Sequence, residues 1–535
     1  MFSKKFTPKL MADFVVGSDN KVPALATVTR PLTWVLTNGV PLRNMLMNNH
    51  NINSKFYLKY SAGLLALIVI SASASDVKMV KSPPPLSFIK AVKVAQKNDP
   101  WLTGNVHQQN ALESMSSAAS TLPDPKMSIG LANLPTNGFD FGQEGMTQIK
   151  VAISQMFPRG DSLAIKSQQL KIESEAFPYQ RKDRESKVAV TVGSLWLDTY
   201  RVQQSIVLIE KNRSLFEQLA DVATASYSSA LGKTRQQDIV RAQLELTYLE
   251  DRLDKLAQQK NHYEGMLLPW LNTFYKTGST IDEASLLTDF SSHDIVVSHQ
   301  LPQLELMNSH LVLKENWLTP GELLPYFSNH PAVIAVDKKV TATKTGINLA
   351  QQKYKTEWGV NASYGYRGDD AMGGSRADLF SIGVTFDIPL FTENRQDKEV
   401  QSAISQAEAV KTEKLLLLRQ LLGAYSSAKG RLLRLNDRQN LYKNKLLPQI
   451  HDQAEASLTA YTNDDGDFSE VVRSRIAVLN AEIDDLTLNV EEQKIRLELN
   501  YLFIGGANSV AIQNKNSKLA LDKSRRNTII SGEKQ

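Results

Sequence analysis

The sequence repeats itself at a distance of about 231 residues, so the chain must fold as two copies of one structural unit. Asp99-Pro100 recurs as His330-Pro331, and Ile153–Pro158 recurs as Val384–Pro389, both at a shift of 231. Asp238-Ile239-Val240-Arg241 recurs as Glu470-Val471-Val472-Arg473, at a shift of 232. Each identity is weak, but three landmarks share nearly one register. The spacing is far longer than the ~20–50 residues of a solenoid module.

Both units carry the same internal pattern. In the first, Met127, Ile129 and Leu131 alternate with small residues, and Ile149, Val151 and Ile153 alternate with Lys150, Ala152 and Ser154. In the second, Val360, Ala362, Tyr364 and Tyr366 form one such set, and Phe380, Ile382, Val384, Phe386 and Ile388 the other. Period-two alternation predicts strands over about 126–134, 146–157, 358–368 and 379–389, each pair joined by a Gly/Asn/Asp-rich connector. Their length suits a tilted strand crossing hydrocarbon. Taken alone, it suits a soluble sheet with one buried face equally well. In the membrane case Tyr364, Phe380 and Val384 should meet lipid, and Lys150, Ser363 and Asp387 should face water.

The helical segments favour the membrane case. Val188, Val192, Leu195, Thr199, Val202, Ile206, Ile209, Arg213, Phe216 and Ala220 are spaced alternately four and three. Ile239 to Leu256 and Val472 to Val490 keep the same rule, the seam of a left-handed coiled coil. Asp161 to Ala230 would run ~105 Å as a helix, as would a stretch from about Glu393 to Tyr461; Pro178 predicts a kink or a restart. Trp196, Leu197, Leu208, Leu215 and Leu219 lie off the seam, so these helices need neighbours on more than one side. Four membrane-length strands cannot close a barrel, which takes about eight. An open edge in lipid leaves costly unpaired amides. In a membrane, protomers must therefore share one barrel.

Composition bears on export and chemistry. The 535 residues carry 61 basic and 56 acidic side chains and no cysteine, excluding disulfides, thiolate metal sites and cysteine nucleophiles. The apolar run Ala62–Ile70, preceded by Lys55 and Lys59 and followed by Ala72-Ser73-Ala74, reads as a secretory signal cleaved after Ala74. Met45 and Met47 would give it ordinary length, making residues 1–44 an upstream extension or a disordered segment. Residues 1–74 hold eight basic and two acidic side chains, which leaves 53 and 54 on the remaining 461. The mild net charge of +5 belongs to the export segment and its upstream extension and does not argue for nucleic acid.

The two repeats of helix–strand–strand–long helix–helix, with the export signal, resemble the TolC-type outer-membrane efflux family across about residues 86–505. Leu122–Pro135, Met146-Thr147-Gln148 and Ile153–Pro158 are similar to the branch that works with metal-cation resistance pumps. The resemblance implies a mostly α fold with a transmembrane β-barrel segment. A homotrimer would build a twelve-strand barrel in outer-membrane lipid and a long α-helical periplasmic tunnel. It also implies a periplasmic membrane-fusion adaptor and an inner-membrane pump of the RND type as partners, with no cofactor and no chemistry in this chain. On this division residues 45–74 are the signal, 75–290 the first repeat, 291–325 an equatorial inter-repeat segment, 326–505 the second repeat, and 506–535 a polar tail. The resemblance places adaptor docking at the helix turns around Leu231, Gly232 and Lys233 and around Tyr461 and Gly466. It places the constriction just past the second turn, where Glu470 matches the first acid of the family's ring and Arg473 replaces the second. Asp464, Asp465 and Asp467 could restore the ring, and Asp238 holds the matching place in repeat one; alternatively these acids solvate a turn and cap a helix.

Other signals are set aside. Gly232-Lys233-Thr234 is no phosphate loop, because Tyr227 stands where that motif needs glycine. The eight histidines form no HExxH, and Met127, Met146 and Met156 are explained by packing before soft-cation binding. The same scaffold could serve a type I protein secretion system. A periplasmic adaptor should carry one helical hairpin instead of two, and a structural coiled coil would not need four alternating strands.

Overall fold

The structure, a computed structural model, describes residues 85–228, 235–272, 276–277, 280–281, 295–314, 316–370, 372–463 and 465–505. The export signal with Ala74, the 1–44 extension and the 506–535 tail lie outside them. In chain order the elements are α1 (Phe88–Asn98), α2 (Pro100–Ala119), β1 (Lys126–Ala132), β2 (Gln148–Phe157), α3 (Ser162–Ser174), α4 (Phe177–Ser228) and α5 (Gln236–Leu271). After the two-residue strands β3 (Lys276–Thr277) and β4 (Thr280–Ile281) and the single turn α6 (Ser309–Val312), the order recurs. It runs α7 (Pro320–Ser328), α8 (Pro331–Gln351), β5 (Trp358–Tyr366), β6 (Leu379–Phe386), α9 (Gln396–Leu441), α10 (Leu447–Thr462) and α11 (Phe468–Leu502).

The recurring X-Pro landmarks are helix starts. Asp99 caps α2 by accepting from Trp101 N at 3.0 Å, and His330 caps α8 by accepting from Ala332 N at 3.3 Å through Nδ1. In each helix proline takes the first position, where its missing N–H is not needed. Pro178 restarts a helix in the same way: α3 ends at Ser174, and Gln180 N reaches back to Ala176 O at 3.0 Å to open α4. Pro448 is met differently. An α-helix would need its absent N–H, so a five-residue π turn over Tyr442–Leu446 carries the chain past it, with Leu447 N bonding Tyr442 O. Each repeat thus holds ~100 Å of nearly continuous helix, over residues 162–228 and 396–462.

The heptad seams of α4 and α11 are mostly buried, and that of α5 is buried at Ala242 and Leu249 and half-buried at Ile239, Leu246, Leu253 and Leu256. Val188, Val192, Leu195, Thr199, Val202, Ile209 and Phe216 of α4 lie inside, as do Val472, Leu479, Ile483 and Val490 of α11. The off-seam Trp196, Leu197 and Leu219 are buried too, so α4 has neighbours on several sides: α1, α5, α8 and α11. Three apolar clusters follow. One joins α1, α4, α5 and α11 around Trp196; a second joins α7, α9 and α11 around Tyr425, Phe327 and Phe503; the third packs α4 and α5 against α11 near Phe468.

The inter-repeat segment is held by polar side chains of these helices. Gln493 accepts from Leu304 N, Arg496 donates to Leu304 O, and Asn500 binds Met307 N and Glu305 O. Their spacing of three and four forms one stripe of α11 that satisfies an otherwise irregular strand of backbone. Lys429 is wholly buried and donates to the carbonyls of Lys314 and Asn316, with Trp317 5.2 Å from its ammonium. Burial holds its pKa below the usual lysine value.

The repeats meet at His330, which is fully buried and whose Nε2 lies 3.1 Å from Tyr501 O. Accepting at Nδ1 requires the neutral tautomer, and burial holds the ring's pKa below its ordinary 6.5. Facing it, the Asp183 carboxylate takes the Tyr501 hydroxyl at 2.8 Å and pairs with Lys187. A depressed folded pKa contributes stability above the unfolded value and loses it as pH falls below that value. Thermal stability should therefore drop between about pH 7.5 and about pH 5.5. His330→Asn, which keeps a capping acceptor, should flatten that dependence; an unchanged profile would assign it elsewhere.

Candidate functional site

The four long strands form one antiparallel sheet in the order β1-β2-β5-β6, so the two repeats join through β2 and β5. Opposed residues in such a ladder share a face, and the register sorts the side chains cleanly. Met127, Ile129 and Leu131 oppose Ile153, Val151 and Ile149; the last two oppose Tyr364 and Tyr366; Tyr364, Ala362 and Val360 oppose Phe380, Ile382 and Val384. The other face carries Ser128, Gly130, Lys150, Ala152, Asn361, Ser363, Ser381 and Gly383. None of the described residues covers the apolar face, where Ile382 is 72% exposed and Ile129 67%. Within the described residues β1 and β6 each leave an unpaired edge. Among these residues no helix is long and apolar enough to cross a membrane.

Tyr364, Phe380 and Val384 lie on that apolar face, and Lys150 and Ser363 on the opposite one. Asp387 differs, because β6 ends at Phe386. Its carboxylate accepts from Glu357 N at 2.8 Å and pairs with Arg159, tying the end of the sheet to the turn before α3.

At the far ends of the long helices, Leu231, Gly232, Lys233 and Asp464 lie outside the described residues. The second turn is tight: Asp465 N bonds Ala460 O at 2.9 Å. A side chain at Gly466 would come within 2.6 Å of Tyr461 N, so the turn requires glycine. Phe468 is buried and meets the Tyr461 ring edge-on at 5.6 Å, fixing the turn to α11. Glu470 and Arg473 form an ion pair at 2.7 Å along one helix face. Asp238 is buried, and its carboxylate accepts from Arg235 N at 2.9 Å, capping α5. Asp467 begins α11 without a side-chain capping bond, and Asp465 and Asp467 are exposed. Of the singled-out acids among the described residues, those two have no side-chain hydrogen bond or ion pair with another described residue.

No protein-family model and no curated protein matches the sequence. Solved structures match the fold. The channel CusC aligns with TM-score 0.60 at 13% identity, over 78% of this chain and 91% of its own. The CmeC outer-membrane channel of Campylobacter jejuni aligns with TM-score 0.60 at 13% identity, over 78% and 86%. The outer-membrane protein VceC of Vibrio cholerae aligns with TM-score 0.59 at 12% identity, over 78% and 95%. The chain has the fold of these channels.

The three methionines do not converge. Met127 lies on the apolar face, Met156 opposes Gly359 on the other, and Met146 stands outside the strands. Among the described residues no group of three or more histidine or acidic side chains could hold a metal. The polar stripe of α11, Lys429 and the anchoring role of Phe468 were missed in the sequence. Glutamine, lysine and asparagine on a helix read as a solvated face unless the segment packed on it is known.

Proposed function

We propose that the chain is one protomer of an outer-membrane exit duct of the TolC type, belonging to a tripartite efflux system. Three copies close a twelve-strand barrel, and their long helices form the periplasmic tunnel. The duct is not an enzyme and conducts passively what an inner-membrane pump of the RND type and a periplasmic adaptor deliver, metal cations or drugs. The observation that carries this reading is the open four-stranded sheet with one face that is apolar except for Gln155 and is covered by none of the described residues, grown onto ~100 Å of helix in each repeat. Membrane fractionation followed by gels of heated and unheated samples tests it. A heat-sensitive trimer in the outer-membrane fraction supports the duct; a soluble monomer would refute it. Sensitivity of a deletion strain to metals or to drugs separates the cargo classes, and a secretion defect alone would favour the type I alternative.

In this reading the tips around Leu231, Gly232, Lys233, Tyr461 and Gly466 dock the adaptor, and Asp464, Asp465 and Asp467 ring the narrowest point. Arg473 screens Glu470 in the same protomer, and exposed pairs of this kind contribute only ~0.3–0.5 kcal/mol. Asp465→Asn with Asp467→Asn should therefore lower single-channel cation conductance more than Glu470→Ala with Arg473→Ala. Unchanged conductance in both double variants would remove the ring.

A further inference from the structure

A cavity of about 350 Å³ opens where the sheet meets the helices, between the end of β2, the start of β5 and the first turn of α9. It is lined by Arg159, Leu349, Lys353, Arg395, Gln396 and Glu399, among others. Three of these groups stand out. The Gln396 side chain is 6% exposed, yet its Oε1 has no hydrogen-bond partner. Glu399 Oε2 is also buried; Lys353 Nζ lies 2.8 Å away as an ion pair, outside hydrogen-bond geometry. The Arg395 guanidinium has no hydrogen bond or ion pair among the described residues, while the neighbouring Arg159 is spent on Asp387 and on the carbonyls of Lys353 and Lys355.

Buried polar atoms are ordinarily satisfied, and an exception calls for a missing partner. Here a buried acceptor lines the same hollow as an exposed arginine that has no ion pair among the described residues, so a complement that uses both brings an N–H donor and an anion. Phosphate alone would set one acceptor against another at Gln396. An amine alone would leave Arg395 unpaired. A phosphate linked to a primary ammonium answers both, and the N-terminal end of α9 adds a dipole that favours the anion. Beside the cavity, Ile388, Leu390 and Phe391 follow β6 and are 63%, 71% and 89% exposed, an apolar surface four residues short of Arg395.

We propose that this cavity seats the headgroup of a phosphatidylethanolamine at the helix-side boundary of the membrane. Arg395 takes the phosphate, Gln396 takes the ammonium beside the Lys353–Glu399 ion pair, and the acyl chains lie along Leu390 and Phe391. The inference rests on the membrane reading of the sheet. A quaternary choline headgroup has no N–H for Gln396, and a glycerol headgroup brings only neutral hydroxyl donors, so both should bind less well.

The test is native mass spectrometry of the detergent-purified oligomer with added phosphatidylethanolamine, phosphatidylcholine or phosphatidylglycerol, and with water-soluble glycerophosphoethanolamine. Wild type should retain phosphatidylethanolamine about tenfold better than the other lipids, the effect of one or two charge-assisted hydrogen bonds. Gln396→Leu and Arg395→Ala should lose that preference, and Arg395→Lys, which keeps the charge, should keep most of it. Equal retention of the three lipids, or an unchanged preference in Gln396→Leu and Arg395→Ala, overturns the site. Retention of no lipid, as when a second copy fills the cavity, overturns it also. Glycerophosphoethanolamine binding as tightly as the lipid overturns the membrane source. Conductance of the same preparations in planar bilayers is the separate measure of the duct: conducting protein with unselective lipid retention sinks the headgroup site alone, and protein that never enters a bilayer sinks both.

Discussion

Val151→Lys should abolish the heat-sensitive oligomer, whereas Ser381→Lys should leave it largely intact. Val151 sits in β2, opposed by Ile129 on one side and Tyr364 on the other, in the middle of the uncovered apolar face. Ser381 opposes Ser363 on the polar face, where a lysine meets the water of the proposed lumen. A lysine on the lipid face near the bilayer midplane costs ~2–4 kcal/mol per copy, and a shared barrel of three protomers would incur that cost three times. The two variants add the same charge to the same sheet, so general effects on expression cancel. The readout is the amount of oligomer surviving on unheated gels of the outer-membrane fraction. Equal loss in both variants, or survival of the Val151→Lys oligomer, would mean that the apolar face does not meet lipid.

The faces of the sheet were legible because alternation is a local signal: Ile149-Lys150-Val151-Ala152-Ile153 states its two sides without reference to any partner strand. The seams of α4 and α11 were legible for the same reason. Which strands neighbour one another was not, since the β2–β5 pairing joins residues about two hundred positions apart. Pro178 announced a break and produced one, but Pro448 sits in an equally long helical stretch and is absorbed by a π turn. At the tip, the family pattern drew attention to Glu470 and Asp238. The structure shows one neutralised by Arg473 and the other committed to a backbone cap. Acidic residues near a helix start serve capping and ligand binding with the same letters. The distance to Arg235 N identifies the capping use for Asp238.

The largest loss of stability is expected from Trp196→Ala. Trp196 is fully buried, stacked on Tyr200 at 5.6 Å and met edge-on by Phe88 at 5.6 Å, and its Nε1 donates to Leu86 O at 2.9 Å. Removing a buried tryptophan side chain costs ~3–5 kcal/mol through lost burial and the cavity left behind. Trp196→Phe should cost far less, ~1 kcal/mol for the hydrogen bond, because Leu86 O keeps Ser298 N as a donor at 3.1 Å. The site also ties three parts of the chain together: Leu86 N bonds Val296 O, and Gln203 of the same helix binds Val297 at both backbone groups. Trp196→Ala should therefore expose residues 295–304 to protease before the rest of the chain, as well as lowering the unfolding midpoint. The second repeat supplies the control. Its equivalent core is the trio Phe327, Tyr425 and Phe503, which packs on α11 and not on the 295–304 segment. Tyr425→Ala should lower the midpoint without hastening cleavage at 295–304. If both variants open that segment alike, the two cores unfold as one unit and the inter-repeat segment is not held by Trp196.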